Sequence, residues 1–348
     1  MNPAPTVTLL DRLLTTTRDV RVKSGDDVEI VTHIAGSGPL VVLVHGFPDT
    51  WISWRHQIEE LATSGYRVAA LETRGYGASS CPHPIEAYTV LEMSADIIAV
   101  MDALGEDRAV LVGHDWGADQ THATALVHPD RVEGLITFTM PALEYSDVPP
   151  SQIFKTAFGD NFFYWNYFLE EDAAENALDV DPAQSIRKFL YGMCGERGEG
   201  VNSLVQPPGT TQLLPGLPDP EHFPNWLAED ELEYYRMSFV QSGFRGAVNR
   251  YRAADLDVVQ MRPWADCTID QPVLWIGGAL DPSLAMVRAS LSASTGDDAT
   301  FDPVPRCTDV RGRNVLEGVG HWVQHEAPIA SNRLINEFLA EISYGPSR

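Results

Sequence analysis

Short apolar runs alternate with amphipathic stretches along the first third of the chain. Residues 40–44, 67–71 and 109–112 are almost entirely apolar, which is typical of strands buried on both faces. Between them, residues 54–64 and 90–104 repeat their apolar positions at helical spacing. This alternation of strand and helix predicts an α/β fold with a mostly parallel central sheet and helices on both faces.

The same pattern continues on both sides of a long interruption. A helix is predicted at residues 116–127, and another at residues 330–342 closes the chain. Further strands are predicted at residues 19–22, 28–34, 134–139, 273–277 and 314–317.

The interruption itself, residues 141–262, differs in composition and in its hydrophobic pattern. It contains few strand signals, many aromatic side chains and a proline-rich stretch at residues 206–224. A mostly helical segment inserted between two halves of one sheet accounts for this change. We therefore predict an α/β core formed by residues 1–140 and 263–348, with residues 141–262 as a helical cap.

The chain is strongly acidic, with a formal net charge of -25 over 348 residues. Nucleic acids and anionic membranes bind clustered Lys and Arg, so this charge argues against both kinds of partner. No run reaches the roughly 18 apolar residues that a membrane span requires, and no leader pattern is visible. Four scattered cysteines fit free thiols in a reducing compartment. We expect a soluble cytoplasmic protein whose oligomeric state stays open, a homodimer included.

The most informative motif is Gly113-His114-Asp115-Trp116-Gly117, between a predicted strand and a predicted helix. A sharp turn of the form G-x-S-x-G presents the nucleophile of many hydrolases at the head of a sheet, and here Asp replaces Ser. The helix N-terminus that follows favours a negative charge at this position. Taken alone, the pentapeptide also fits a surface turn with a capping Asp, but the buried strand before it favours a nucleophile elbow.

An aspartate nucleophile changes the chemistry that such a site performs. The carboxylate is already ionised near pH 7 and attacks without the help of a base. Attack on a saturated carbon gives an alkyl–enzyme ester, which water then cleaves at the Asp115 carbonyl. The substrate is therefore expected to carry a leaving group on sp³ carbon, such as an epoxide oxygen or a halide.

Two later residues complete the order nucleophile, acid, histidine that is used with this elbow. Asp281 follows a predicted strand, and His321 precedes the closing helix. We expect His321 to activate water as general base, and Asp281 to fix its tautomer and stabilise the imidazolium. Asp281 also fits a plain helix N-cap, and Glu144 is a second candidate for the acid. His325, four residues after His321, is predicted to be a surface residue because no third ligand completes a metal site.

A second turn motif, His45-Gly46-Phe47-Pro48, follows the predicted strand at residues 40–44. In hydrolases with a nucleophile elbow, this loop supplies one backbone N–H of the oxyanion hole. We predict that the N–H groups of Phe47 and Trp116 form this hole, and one such donor is typically worth about 10²–10³ in rate. A plain tight turn is the alternative for the motif. His45 is also a candidate substrate-binding residue.

Five blocks of the sequence, taken together, resemble the soluble epoxide hydrolase family. The blocks are Val44-His45-Gly46-Phe47-Pro48-Asp49, Trp51-Ile52-Ser53-Trp54-Arg55-His56-Gln57, Arg74-Gly75-Tyr76-Gly77, Gly113-His114-Asp115-Trp116-Gly117 and Gly320-His321-Trp322-Val323-Gln324-His325-Glu326-Ala327-Pro328. The resemblance covers nearly the whole chain and is weak at residues 198–221. It implies the α/β-hydrolase fold with a cap, no metal or organic cofactor, and hydrolysis of an apolar epoxide to a vicinal diol.

The same resemblance picks out two cap tyrosines as proton donors to the epoxide oxygen. The family's positions fall on Tyr164 and Tyr251. Tyr167 lies one helical turn from Tyr164 and stays open as its alternative. On sequence alone, any cap tyrosine also fits an ordinary amphipathic core.

The pocket that this chemistry requires is expected to be apolar. Phe162, Phe163 and Trp165 are expected to line it from the cap, with Trp116 beneath. A haloalkane dehalogenase is the alternative among enzymes, but it needs N–H donors for the halide and leaves the tyrosines without a task. A hydrolase-like binding protein without turnover is the alternative outside enzymes, although every catalytic element is present.

Overall fold

The computed structural model describes residues 7–25, 27–198, 203–295 and 301–346. The strands within this part of the chain are β1 (Arg18–Ser24), β2 (Val28–Gly36), β3 (Leu40–Val44), β4 (Arg67–Leu71), β5 (Ala109–His114), β6 (Val132–Phe138), β7 (Phe162–Phe163), β8 (Val205–Gln206), β9 (Ile269–Gly278) and β10 (Cys307–Leu316). Eight of them form one sheet in the order β1-β2-β4-β3-β5-β6-β9-β10, and β7 pairs with β8.

The sheet is parallel from β4 across to β10 and antiparallel only where β1 meets β2 and β2 meets β4. In its centre, Val41 of β3 aligns with Val68 of β4 on one side and with Val110 of β5 on the other. All five residues of β3 are fully buried, as expected for a strand that is covered on both faces. The predicted mostly parallel sheet with helices on both faces is confirmed.

The helices account for most of the remaining described chain. They are α1 (Leu9–Thr16), α2 (Arg55–Thr63), α3 (Val90–Ala103), α4 (Trp116–Val127), α5 (Pro150–Phe158), α6 (Tyr164–Leu169), α7 (Ala173–Leu178), α8 (Pro182–Gly192), α9 (Glu229–Ser242), α10 (Arg245–Gln260), α11 (Pro282–Thr295), α12 (Val323–Glu326) and α13 (Pro328–Glu341). The hydrophobic pattern predicts neither α1, which has only eight residues, nor α11, in which small Ser and Ala residues blur the apolar stripe. Among the described residues, no helix combines the length and hydropathy that a membrane span needs.

Helices α5 to α10 and the β7–β8 pair lie between β6 and β9, within the segment predicted as the cap. Aromatic side chains join this segment to the loop that follows β3. The ring of Phe47 lies 5.4 Å from that of Phe168 and 5.2 Å from that of Phe189, measured between centroids. The helical segment therefore covers the carboxyl end of β3, which is also the end of β5 that carries the nucleophile motif.

A buried ion pair also fastens the cap to the core. Arg55, at the start of α2, is 1% exposed and its Nε lies 2.6 Å from Oε1 of Glu231 on α9, whose side chain is 6% exposed. Arg55 also donates to the Trp226 carbonyl oxygen at 2.5 Å. Because neither charge reaches water, each depends on the other for its compensation.

Arg55→Met should therefore destabilise the protein strongly, since it leaves the Glu231 carboxylate buried without its partner. We expect the free energy of unfolding to fall by about 3–5 kcal/mol. Denaturant unfolding followed by tryptophan fluorescence measures this change. Arg333→Met is the matched control, because Arg333 and its partner Glu337 are 60% and 58% exposed; that variant should lose about 0.5 kcal/mol or less. Equal losses in the two variants would contradict the assigned role of the buried pair.

Candidate active site

The nucleophile motif folds as a sharp turn between β5 and α4. Asp115 has a backbone φ of 52° and ψ of -126°, a conformation that side chains other than glycine rarely adopt. The turn is packed so closely that a side-chain carbon at Gly117 would overlap the carbonyl oxygen of Val44. These two features hold the Asp115 side chain at the head of the sheet, at the N-terminus of α4.

The Asp115 carboxylate is surrounded by hydrogen-bond donors. The backbone N–H of Phe47 donates to Oδ1 at 2.8 Å, and the backbone N–H of Trp116 also hydrogen-bonds to the carboxylate. Burial raises the pKa of Asp115, and the nearby His321 together with the two N–H groups opposes this rise. The two residues predicted to form the oxyanion hole thus lie where they contact the Asp115 side chain.

His321 faces Asp115 on one side and Asp281 on the other. Its Nε2 lies 3.6 Å from Oδ2 of Asp115, and its Nδ1 lies 3.1 and 3.2 Å from the two carboxylate oxygens of Asp281. Nε2 is buried and has no hydrogen-bond partner among the described residues. The structure therefore brings together all three residues predicted for the catalytic triad, with Nε2 of His321 on the side of the Asp115 carboxylate.

Ser283 is a member of this cluster that the sequence analysis missed. Its hydroxyl donates to Oδ1 of Asp281 at 2.7 Å and lies 3.2 Å from Nδ1 of His321, and its backbone N–H also donates to Asp281 at 2.8 Å. The signal in the sequence was the spacing Asp281-Pro282-Ser283, in which Ser follows an Asp at the start of a helix by two residues.

The electrostatics of the pair keep Asp281 ionised beside the imidazole. Burial raises the pKa of Asp281, but the charge of His321 and the hydrogen bonds from His321 and Ser283 outweigh burial, so the pKa lies below its ordinary value. Burial lowers the pKa of His321, but the attraction and hydrogen bond of Asp281 outweigh it, so this pKa is raised. A raised pKa suits a residue that takes a proton from water.

Glu144, the second candidate for the acid, lies elsewhere. It is exposed and lines a surface groove together with Arg306. None of the hydrogen bonds of His321 among the described residues involves it.

Two tyrosines from different helices of the segment between β6 and β9 share a cavity with Asp115. Tyr164 on α6 and Tyr251 on α10 line the same cavity as Asp115, and their ring centroids are 5.7 Å apart. Burial, reinforced by the charge of Asp115, raises the pKa of both phenols well above the ordinary value for tyrosine. Both hydroxyls therefore keep their protons at neutral pH.

Tyr167, the alternative to Tyr164, is turned away from this cavity. Its hydroxyl donates to the carbonyl oxygen of Ala173 at 2.8 Å, and its ring packs against that of Phe162 at 5.4 Å. The register of α6 thus presents Tyr164 to the cavity. Phe162, expected to line the pocket, is not among the lining residues either.

The wall of the cavity is overwhelmingly apolar. Besides Phe47, Asp115, Trp116, Tyr164, Tyr251, Ser283 and His321, its lining residues are Met140, Phe154, Phe163, Trp165, Phe189, Met193, Leu204, Met286 and Val287. Phe163 and Trp165 lie where the sequence analysis expected them. His45 does not line the cavity: its ring Nδ1 contacts the Gly46 carbonyl oxygen at 3.0 Å, and its Nε2 accepts from the Thr73 N–H at 3.3 Å.

The prediction that His325 is a surface residue is wrong. His325 is 1% exposed, with Nδ1 2.6 Å from an Arg55 nitrogen and Nε2 3.3 Å from the Tyr235 hydroxyl. Asp49 accepts a hydrogen bond from Tyr235 and lies 3.8 Å from Nε2 of His325. His325 is therefore part of a buried polar network between core and cap. Among the described residues, no group of three or more His, Cys, Asp or Glu side chains is placed to hold a metal ion.

Glu326 is a second residue that the sequence analysis did not single out. Its carboxylate accepts backbone hydrogen bonds from Gly195 of the cap at 2.8 Å, from Gly320 at 3.1 Å and from Trp322 at 3.1 Å. The backbone N–H of His321 donates to the Met193 carbonyl oxygen at 2.9 Å. Hydrogen bonds to Glu326 of α12 and to Met193 of the cap therefore fix the backbone of the loop that carries His321.

Comparisons with known proteins agree with this geometry. The family model of the α/β-hydrolase fold matches residues 39–328. Epoxide hydrolase A of Mycobacterium tuberculosis is 37% identical over 97% of this chain and 98% of its own length. Epoxide hydrolase 3 of Siraitia grosvenorii is 34% identical over 89% of this chain and 95% of its own length.

Solved structures give the same result. A crystal structure of epoxide hydrolase A from Mycobacterium thermoresistibile superposes with a TM-score of 0.82 at 36% identity, covering 93% of this chain and 98% of the other. An epoxide hydrolase from an endophytic Streptomyces superposes with a TM-score of 0.83 at 36% identity, covering 94% and 96%. The turn at Asp115, the contact between His321 and Asp281, and the extent of these matches lead to one assignment. The chain belongs to the epoxide hydrolase family of the α/β-hydrolase fold.

Proposed function

We propose that the protein hydrolyses an apolar epoxide to a vicinal diol through an ester on Asp115. The observation that carries the proposal is the placement of the Asp115 carboxylate and the protonated hydroxyls of Tyr164 and Tyr251 around one cavity. A nucleophile and an acid on the same cavity are what ring opening of an epoxide requires.

In the first half-reaction, Asp115 attacks one ring carbon and forms a C–O ester bond to it. The bond between that carbon and the epoxide oxygen breaks, and the oxygen keeps the electron pair. Tyr164 and Tyr251 hydrogen-bond to this oxygen, and one of them transfers its proton to it. Because the pKa of both phenols is raised, they are weaker acids than free tyrosine and act as the developing alkoxide becomes strongly basic.

In the second half-reaction, Nε2 of His321 takes a proton from water, and the resulting hydroxide attacks the carbonyl carbon of the Asp115 ester. Asp281 stabilises the imidazolium that forms. The N–H groups of Phe47 and Trp116 hold the negative charge that develops on the carbonyl oxygen. The bond between the acyl carbon and the substrate oxygen then breaks, and this oxygen takes the proton of the newly added hydroxyl, so that the diol leaves and Asp115 is again a carboxylate. The proton on His321 returns to the tyrosinate.

The wall of the cavity limits the substrate class. Nine of its sixteen lining residues are aliphatic, thioether or aromatic side chains outside the catalytic set. Burying apolar surface against them stabilises the complex by about 25 cal/mol per Å². We therefore propose epoxides with aryl or alkyl substituents as substrates.

The test compares Tyr251→Phe with Tyr167→Phe on a styrene-type epoxide. Loss of the Tyr251 proton donor should slow ester formation by about 10²-fold, the lower end for general-acid catalysis, because Tyr164 remains. Tyr167→Phe removes the same atom from a residue whose hydroxyl faces Ala173, so its rate should equal that of the wild type. Pre-steady-state quenching of the tryptophan fluorescence of the cavity follows this step.

A 1-haloalkane is the control substrate. Turnover of the haloalkane alone, insensitive to Tyr251→Phe, would assign the site to a halide leaving group. Wild-type protein that turns over neither compound would leave a binding protein as the better description.

A further inference from the structure

Trp165, which lines the cavity, carries an indole hydrogen-bond donor that no described residue accepts. Trp165 lines the cavity and is 7% exposed. Its Nε1 is buried and has no acceptor among the described residues. A buried N–H without a partner is costly, so its retention at a ligand site calls for a partner from the ligand.

The indole N–H groups of other tryptophans differ from that of Trp165 in their hydrogen bonding or in their position. Trp51, Trp275 and Trp322 each donate to an oxygen of the protein, at 2.7, 3.3 and 2.6 Å. The indole nitrogens of Trp54 and Trp226 also lack acceptors among the described residues, but neither residue lines the cavity. Trp116 and Trp165 are the two tryptophans that line the cavity, and the Trp116 side chain hydrogen-bonds to Tyr251. In the described part of the chain, Trp165 is therefore the cavity-lining tryptophan whose donor has no acceptor.

The neighbours of Trp165 place its indole ring next to the reacting centre. The indole centroid lies 5.0 Å from the ring of Tyr251 and 5.1 Å from that of Trp116, and Phe154 closes the other side at 4.7 Å. Tyr251 is the proposed partner of the epoxide oxygen. A substituent atom one or two bonds from the epoxide ring therefore comes within reach of the indole.

The remaining polar groups of the cavity have other tasks. The Ser283 hydroxyl donates to Asp281, and the Asp115 carboxylate accepts from two backbone N–H groups. The two phenols are assigned to the epoxide oxygen. An acceptor in the substituent would thus meet one donor, the Trp165 N–H, in an otherwise apolar wall.

We propose that Trp165 recognises a hydrogen-bond acceptor on the substrate, and that the preferred substrates are epoxides with an ether or carbonyl oxygen one or two bonds from the ring and an apolar group beyond it. This inference rests on the proposed epoxide hydrolysis and deepens it. A single N–H donor in an apolar wall gives orientation as well as affinity, because only one placement of the substituent satisfies it.

The test uses two substrates of the same shape. Phenyl glycidyl ether carries an ether oxygen where 4-phenyl-1,2-epoxybutane carries a methylene group. The ratio of their kcat/KM values, ether over carbon analogue, is measured for the wild type and for Trp165→Phe. The ratio should fall about three- to tenfold in the variant, the size typical of one neutral hydrogen bond.

Phe154→Leu is the matched control variant. Phe154 packs on Trp165 and lines the same cavity, but it has no polar atom, so its replacement changes the cavity volume without removing a donor. In this variant kcat/KM for the ether and for its carbon analogue should change by the same factor, so that their ratio stays that of the wild type. An unchanged ratio in Trp165→Phe, or an equal fall in Phe154→Leu, would overturn the proposal. Absence of turnover for both substrates in the wild type would instead overturn the proposed function.

A second measurement does not depend on an active variant. Protein labelled with ¹⁵N at its eight tryptophans is titrated with 3-phenoxypropane-1,2-diol and, separately, with 4-phenylbutane-1,2-diol. The Trp165 indole resonance, identified by its absence in Trp165→Phe or Trp165→Tyr, should move downfield with the ether diol and not with its carbon analogue. The same shift with both diols, or with neither, would contradict an acceptor-specific contact.

Discussion

His321→Gln is expected to stop turnover while leaving the first half-reaction intact, so that the protein gains the mass of one whole epoxide molecule. The nucleophile does not need His321 to attack, but the ester needs a base to activate water. Loss of a triad member in other hydrolases lowers turnover by about 10⁴-fold or more. Intact-protein mass spectrometry after incubation with a styrene-type epoxide measures the adduct, and peptide mapping should place it on Asp115.

His325→Gln is the matched control for this variant. It makes the same substitution four residues away, at a buried histidine whose ring contacts Arg55 and Tyr235 and not Asp115. This variant should turn over and show no adduct at steady state. An alkyl adduct on His321→Gln formed only from a 1-haloalkane would identify a halide as the leaving group and contradict epoxide opening.

Asp115→Ala should abolish both half-reactions, with no adduct and no diol above the uncatalysed rate. The substitution removes the atom that forms the ester, and no other carboxylate lines the cavity in the described part of the chain. Diol formation by chromatography measures the activity. Asp130→Ala, which removes the same charge from an exposed position beyond α4, should retain full activity.

Thermal unfolding separates this loss of activity from a loss of structure. Burial raises the pKa of Asp115 in the folded protein above its ordinary value, so the ionised side chain destabilises the fold at neutral pH. The midpoint of unfolding of Asp115→Ala should therefore equal or exceed that of the wild type. Appreciable diol formation by the variant would place the nucleophile elsewhere.

The parts of the site that could be predicted from the sequence are those that depend on neighbours along the chain. The Gly113–Gly117 turn follows a buried strand, so both the position of Asp115 and the N–H of Trp116 follow from local geometry. The order of Asp281 and His321 after successive strands placed them at the same end of the sheet, because the carboxyl ends of parallel strands meet there.

The parts that could not be predicted depend on side-chain orientation between distant segments. His325 was expected at the surface because no third ligand completes a metal site there, but it is buried against Arg55, which lies 270 residues earlier in the chain. His45 was expected to bind substrate, but its ring contacts Thr73 on the far side of the loop. The choice between Tyr164 and Tyr167 depends on which face of α6 is turned to the cavity. The Tyr167 hydroxyl donates to the Ala173 carbonyl oxygen, so Tyr167 lies on the other face.

The positive φ of Asp115 implies a trade-off between catalytic activity and thermal stability. A residue other than glycine held in such a conformation costs of the order of 1–3 kcal/mol, and here it also carries a buried charge. Glycine at this position would suit the fold better than aspartate does. Directed evolution for heat resistance alone would therefore discard the nucleophile first, and a screen for robust variants of this enzyme has to demand turnover in every round.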